Sequence, residues 1–231
     1  MLYQDYGAST KDALEGRLGR LLDLLRKYQQ QSDPSAFFMT WVKQAFHSSP
    51  ADRKIIGRTL AFANFVHSKQ RRITGEKYII HPISTAAIIG EYLGINDPIT
   101  IAGALGHDIR EDHEILSHLA PIWRIDAAVI VIIDACNRNG FAKIRDKKER
   151  DDAFLGAILR DGSERVQLVK CADKIDNNLT PVPNKLSHAS WRKRKAHTIR
   201  TWYEPITIAI GHLEEEMTAS RIAIENGIRM I

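Results

Sequence analysis

The amino-acid sequence predicts an all-α fold, a bundle of about ten helices with an N-terminal helical extension. Three observations lead there. Apolar residues recur at helical rather than alternating intervals along most of the chain. A capping residue followed by proline recurs at Asp33-Pro34, Ser49-Pro50, His81-Pro82 and Asp97-Pro98. Proline is pre-shaped for the first helical position and loses no needed hydrogen bond there. The stretch most tempting as a strand, 129–133, has helical neighbours and no second strand to pair with.

Leu14, Leu18, Leu21, Leu22 and Leu25 predict an amphipathic helix over 10–31. Residues 35–46 form a second, short one. Ser49 with Asp52 three residues on resembles a capping box and opens a third helix over 50–71, with Leu60, Phe62, Ala63, Phe65 and Val66 in its later half. A loop containing Gly75 covers 72–80. The next helix, 82–93, can close on Gly94 in a left-handed conformation. Further helices are expected over 98–112, 114–120, 125–136, 147–159, 163–179 and 190–216. The segment 180–189, with Pro181 and Pro183, reads as the likeliest connection to bend. Residues 1–45 read as an extension, with the chemistry confined to 46–231. The leucine stripe at 14–25 reads as core, with an interface in a homo-oligomer as the alternative.

Composition excludes several classes. The chain has 231 residues, 44% hydrophobic and 26% charged, as an ordinary globular protein has. The apolar run 127–133 is far short of the roughly 20 residues that cross a bilayer, and no export signal precedes the first helix. Cys136 and Cys171 lack CxxC spacing, which argues against a zinc-thiolate site and fits a reducing, cytoplasmic setting. A net charge of +5 suits a polyanionic partner, nucleic acid or a phosphorylated small molecule, or is merely a basic surface, and charge alone does not choose. The basic run 191–195 is read as a solvated helix face rather than a nucleic-acid contact.

The informative core is His107-Asp108-Ile109-Arg110-Glu111-Asp112. A bare His-Asp pair is weak, since chance gives roughly 0.6 of them in a chain of this composition. Glu-Asp three residues on lowers that to roughly 0.002. Two adjacent ligands at a helix end can reach one metal. Asp112 is four residues after Asp108 and Glu111 four after His107, so both face the same site. The alternative is a solvated acidic helix end, which opposes the helix dipole unless a cation binds. Asp173 falls close to the inward stripe of Val166, Val169, Ala172 and Ile175, where a carboxylate needs a cation or donors. Lys170, Asp173 and Asn177 share one face of that helix. His81 by itself reads as a helix-capping residue ahead of Pro82.

Residues 63–112, ANFVHSKQRRITGEKYIIHPISTAAIIGEYLGINDPITIAGALGHDIRED, together with 170–177, resemble the HD-type hydrolase domain of the RelA/SpoT alarmone enzymes. The family pattern is H-x-x-Q-x-R-x-S-G-E-P-Y-I-x-H-P, then H-D-x-x-E-D, then K-L-A-D-x-x-x-N, and the match runs in order over roughly 50–215. The resemblance implies that His81, His107, Asp108 and Asp173 are metal ligands, overturning the capping reading of His81. It implies that Glu111 and Asp112 activate or orient the attacking water. Arg72, Tyr78 and Asn177 fall on substrate-contacting positions, and His67 on a structural one. The chain departs at Ile73, where many members carry a basic residue, at Lys77 for proline, at Gly106 for leucine and at Asp176 for histidine. None is a ligand position; what they put in question is substrate preference. Its length resembles that of the stand-alone small alarmone hydrolases.

Two nitrogen and two oxygen ligands without thiolate suit Mn²⁺, with Fe²⁺ or Zn²⁺ as competitors. The resemblance implies hydrolysis of the 3′-diphosphate of guanosine alarmones to GDP or GTP and pyrophosphate. Arg72, Lys143 and Lys170 are candidates to hold phosphate. Adenosine alarmones and NADPH are alternative substrates. A non-catalytic alarmone sensor or partner-binding protein is the competing class, and the intact Glu-Asp pair argues against it.

Overall fold

The computed structural model describes residues 8–44, 49–114, 118–181 and 183–231. Its regular elements are helical, apart from an isolated bridge between Arg71 and Lys77 in the loop after the third helix. No described helix is long and apolar enough to cross a membrane.

Helices α1 (Ala8–Gln29) and α2 (Pro34–Gln44) open the chain. Asp33 Oδ1 caps α2 by accepting from the Ala36 amide. α3 (Pro50–Val66) starts on the expected box: Ser49 Oγ accepts from the Asp52 amide while Asp52 accepts from the Ser49 amide. It ends at Val66, five residues earlier than the apolar pattern suggests, so the loop runs longer. α4 (Ile80–Ala87) continues into a wide π turn, Ile88–Tyr92, and stops at Gly94, whose φ of +71° suits glycine. Its cap is Ile79, without a side-chain bond, so His81 lies inside the first turn and leaves its ring free.

The helix expected over 98–112 is two. α5 (Pro98–Gly106) is capped by Asp97, and α6 (Ile109–Asp112) follows a turn at His107 and Asp108. Of the expected helix 114–120, residues 115–117 lie outside the described residues and 118–120 form turn. α7 (Ala127–Cys136) confirms helix over the β-branched run. A 3-10 turn (Arg138–Phe141), α8 (Lys147–Asp161) and α9 (Glu164–Leu179) come next, and a short α10 (Pro183–Leu186) interrupts the Pro-containing connection. The helix expected over 190–216 is broken. α11 (Ala189–Thr198) widens to a π turn (Ile199–Tyr203) before Pro205, which has no N–H to continue the ladder. α12 (Glu204–Ile210) ends on Gly211 at φ +66°, and α13 (Glu214–Asn226) follows.

α5 is buried on nearly every side, between α3, α4 and α7. α9 lies across α4, α5, α12 and α13, with thirteen of its sixteen residues buried. These two central helices carry three of the candidate ligands or their neighbours. Burial on all sides fixes their backbones, which is what a site of defined geometry requires. α1 packs on α4 and α13, burying Leu18, Leu21, Leu22, Leu25 and Tyr28 completely. Tyr28 Oη and Lys27 Nζ both donate to Glu91 at the end of α4. The apolar core therefore runs without a break from α1 and α2 into the rest of the bundle.

Candidate active site

The first turn of α4, the turn between α5 and α6, and the middle of α9 bring His81, His107, Asp108 and Asp173 together. His81 Nε2 lies 3.4 Å from Asp108 Oδ2 and 3.2 Å from Asp173 Oδ1. His107 Nε2 lies 3.2 Å from Asp108 Oδ1 and 3.7 Å from Asp173 Oδ1. His81, His107 and Asp108 each offer a donor atom to one point. Breaking the helix at 107–108 lets two successive side chains face that point, which a continuous helix would turn about 100° apart.

The donor set fits a divalent cation. His107 Nε2 is buried without a hydrogen-bond partner, and a buried orphan of that kind calls for an ion or an unseen donor. Its other nitrogen, Nδ1, is 2.7 Å from the Ala104 carbonyl oxygen, so it carries the proton and Nε2 is left as a lone pair toward the cage. Without a cation the cluster holds protons instead. Burial alone lowers the His107 pKa, but Asp108 and Asp173 beside it override burial and raise it to about 9. His81 is raised in the same sense: burial lowers it, and hydrogen bonds to Asp108, Asp173 and Asp176 win. Burial would raise Asp173, yet the Lys170 ammonium and the two histidines hold it well below the usual carboxylate range.

Around the cage, Tyr78 Oη donates to Asp108 Oδ2 at 2.6 Å, and burial with that carboxylate pushes the phenol up. Lys170 Nζ donates to Asp173 Oδ2 at 2.6 Å, the i,i+3 pair the sequence allowed as an alternative to a ligand role. Asp173 presents its other oxygen, Oδ1, to the histidines, so the lysine pair does not preclude a ligand role. Arg72 donates to Asp176 Oδ2 and Asn177 Oδ1, both at 3.0 Å. Glu111 is paired with Arg138, and Asp112 accepts from Gln70 Nε2 at 2.9 Å. Gln70 Oε1 in turn lies 2.7 Å from Nδ1 of buried His67, as befits the structural position.

His81, Asp108 and Asp173, with Tyr78, Lys170, Arg72, Asn177 and the Glu111-Asp112 pair, line a cavity of about 1000 Å³; His107 and Asp176 are buried and do not line it. Its metal end is acidic. Beyond the carboxylates near the histidines, its lining mixes Asp146, Asp151 and Asp152 with cationic side chains, among them Lys174 and Lys195 side by side, with the Lys174 ammonium 4.7 Å from the Tyr203 ring centroid. Burial first, then the Lys195 ammonium, pushes Lys174 well down. An anion between them would relieve that repulsion.

Of the residues singled out from sequence, Lys143 is not brought in. It stands exposed in the turn after the 3-10 segment and does not line the cavity; Arg138, from the start of that segment, does. Sequence reasoning missed Arg138, Lys174 and Lys195 as wall residues. Arg138 reaches Glu111 from 27 positions away, and no spacing rule finds that. Gln70 stood in the motif without a role, and Asp176 was noticed only as a departure.

No family model matches the chain. It is 35% identical over 129 residues to the guanosine-3′,5′-bis(diphosphate) 3′-pyrophosphohydrolase of Aquifex aeolicus, covering 55% of this chain and 18% of that one. The protein of the same description from Vibrio cholerae is 32% identical over 120 residues, covering 51% and 17%. The bifunctional (p)ppGpp synthase/hydrolase SpoT of Escherichia coli is 29% identical over 180 residues, covering 73% and 24%. The chain spans about a fifth of the length of these curated relatives. Among solved structures, a metazoan ortholog of SpoT described as hydrolysing ppGpp superposes with a TM-score of 0.54 at 22% identity, covering 77% of this chain and 95% of that one, which shows a shared fold.

Proposed function

We propose that the chain carries an HD-type hydrolase domain like that of the RelA/SpoT enzymes it is similar to, and that it removes the 3′-diphosphate of guanosine alarmones, giving GDP or GTP and pyrophosphate. The observation that carries this reading is that three ligand-type side chains, His81, Asp108 and Asp173, share one cavity with the Glu111-Asp112 pair and several cationic side chains, while buried His107 reaches Asp108 and Asp173.

His81, His107, Asp108 and Asp173 would hold the divalent cation, Mn²⁺ by the chemistry of two imidazoles and two carboxylates, with Fe²⁺ or Zn²⁺ as competitors. When bound, such an ion lowers the pKa of a water and polarises the phosphoryl group. The chain's own groups do the rest. Glu111 or Asp112 takes a proton from the attacking water as its oxygen bonds to the phosphorus on the 3′ oxygen. The P–O3′ bond breaks, the 3′ oxygen takes up a proton, and pyrophosphate leaves. Lys170 and Arg72 offset charge near the reacting phosphate, and Lys174 and Lys195 suit the distal 5′-phosphates. Tyr78 and Asn177 frame the nucleotide. Residues 46–231 would form the phosphohydrolase unit, with helices α1 and α2 packed against it.

Product analysis tests this. Purified protein with Mn²⁺ and guanosine 3′,5′-bisdiphosphate is expected to release GDP and pyrophosphate, and a chelator to stop it. Turnover of adenosine alarmones or NADPH but not the guanosine compound would move the substrate; nucleotide binding without turnover of any would favour a sensor.

A further inference from the structure

Asp176 stands where the family motif calls for histidine, and its surroundings give that departure a physical meaning. It is 1% exposed. One oxygen, Oδ2, takes two bonds: from His81 Nδ1 at 2.6 Å and from Arg72 Nη1 at 3.0 Å. Arg72 also donates to Asn177, Asn177 donates to Asp173 Oδ1 at 2.5 Å, and Asp173 Oδ1 lies 3.2 Å from His81 Nε2. The five residues close a ring of polar contacts. Residues 173, 176 and 177 share one face of α9, so the helix itself sets the ring's spacing.

We propose that Asp176 is a positioning residue with two tasks: it fixes His81 as a metal ligand, and it holds Arg72 on the cavity wall. The proposal rests on the phosphohydrolase reading of this site. A proton on Nδ1, held by the Asp176 carboxylate, leaves Nε2 as a lone pair toward the cage. A carboxylate behind a ligating histidine fixes its tautomer and raises its basicity. His107 reaches the same tautomer through the Ala104 carbonyl instead, so only one of the two imidazoles depends on Asp176. The same carboxylate oxygen neutralises Arg72, whose side chain is only 12% exposed. Metal retention and nucleotide contact thereby share one group.

Asp176→Asn, which keeps the shape, and Asp176→Ala test this, with Mn²⁺ affinity read by electron paramagnetic resonance of the free ion. Affinity is expected to fall about 10–100-fold, the size of effect that second partners of metal ligands have, more in the alanine variant. At saturating Mn²⁺, kcat is expected to recover while KM stays raised, because Arg72 remains unheld. Wild-type Mn²⁺ affinity in a folded Asp176→Asn protein overturns the first task. A KM that returns to the wild-type value with Mn²⁺ overturns the second. Metal affinity is read without substrate, so it decides the first task even if the guanosine alarmone proves not to be the nucleotide hydrolysed.

Discussion

The Lys170 ammonium and the Asp173 carboxylate meet at 2.6 Å, each side chain no more than a tenth exposed. Asp173 therefore faces the two histidines and is also the ion-pair partner of a buried lysine. Removing it leaves that ammonium uncompensated, which costs about 3–5 kcal/mol for a buried pair. Asp173→Ala is expected to lose both Mn²⁺ binding and stability. Asp173→Asn is expected to lose the metal while keeping more of the fold. Chemical denaturation and metal titration of the two variants, side by side, check it; full metal affinity in Asp173→Asn removes the ligand assignment.

Glu111 is held by Arg138 at the mouth of the cavity, outside the cage. Glu111→Gln is expected to retain the metal and lose about 10²–10⁴-fold in kcat, the usual worth of a positioned proton acceptor. Unchanged turnover would assign the proton transfer to Asp112.

Proton and metal compete for His107. Its folded pKa of about 9 lies above the ordinary 6.5. A raised histidine stabilises the metal-free fold fully below about pH 6.5, and that contribution is lost as pH rises through about 9. Metal binding needs the neutral ring, so its affinity moves the other way. It is expected to strengthen by up to about tenfold per pH unit for each proton displaced in this window. Melting curves in chelator and calorimetric titrations with Mn²⁺, between pH 6.5 and 9, measure the two trends; affinity independent of pH would mean the ring is already neutral.

Gly106, where the family motif has leucine, faces α7. A Cβ there would come within 2.6 Å of Ile133 Cδ1 and 3.4 Å of Thr59 on α3. Gly106→Leu is expected to destabilise by about 1–3 kcal/mol through overpacking. Because Gly106 precedes His107, metal affinity should fall with it. Ile133→Ala in the same chain should recover part of both; no recovery would show that the backbone itself needs glycine.

Leu21 and Leu25 are wholly buried beneath α1. Leu21→Ala is expected to cost about 2–5 kcal/mol, in a single unfolding transition that includes the metal site. Two separate transitions would show that the N-terminal helices fold as their own unit.

The sequence by itself determined the helical class, the caps at Asp33, Ser49 and Asp97, and His107, Asp108 and Asp173 as candidate ligands; His81 joined them only through the family resemblance. Apart from His81, each rests on local information: periodicity, the chemistry of a cap, the short spacing within 107–112 and 170–177. Where helices end was less legible. The break at 107–108 has no local breaker, whereas the interruption at 211–213 carries one in Gly211, at φ +66°, that the apolar periodicity over 190–216 masked. Tertiary structure alone decided that His81 leaves its cap position to face Asp173, that Arg138 rather than Lys143 reaches Glu111, and that Asp176 joins His81 to Arg72. These are contacts between residues 27 to 104 positions apart. Sequence patterns register spacing along one element, whereas such contacts exist only once α4, α6 and α9 have been pressed together by the core behind them.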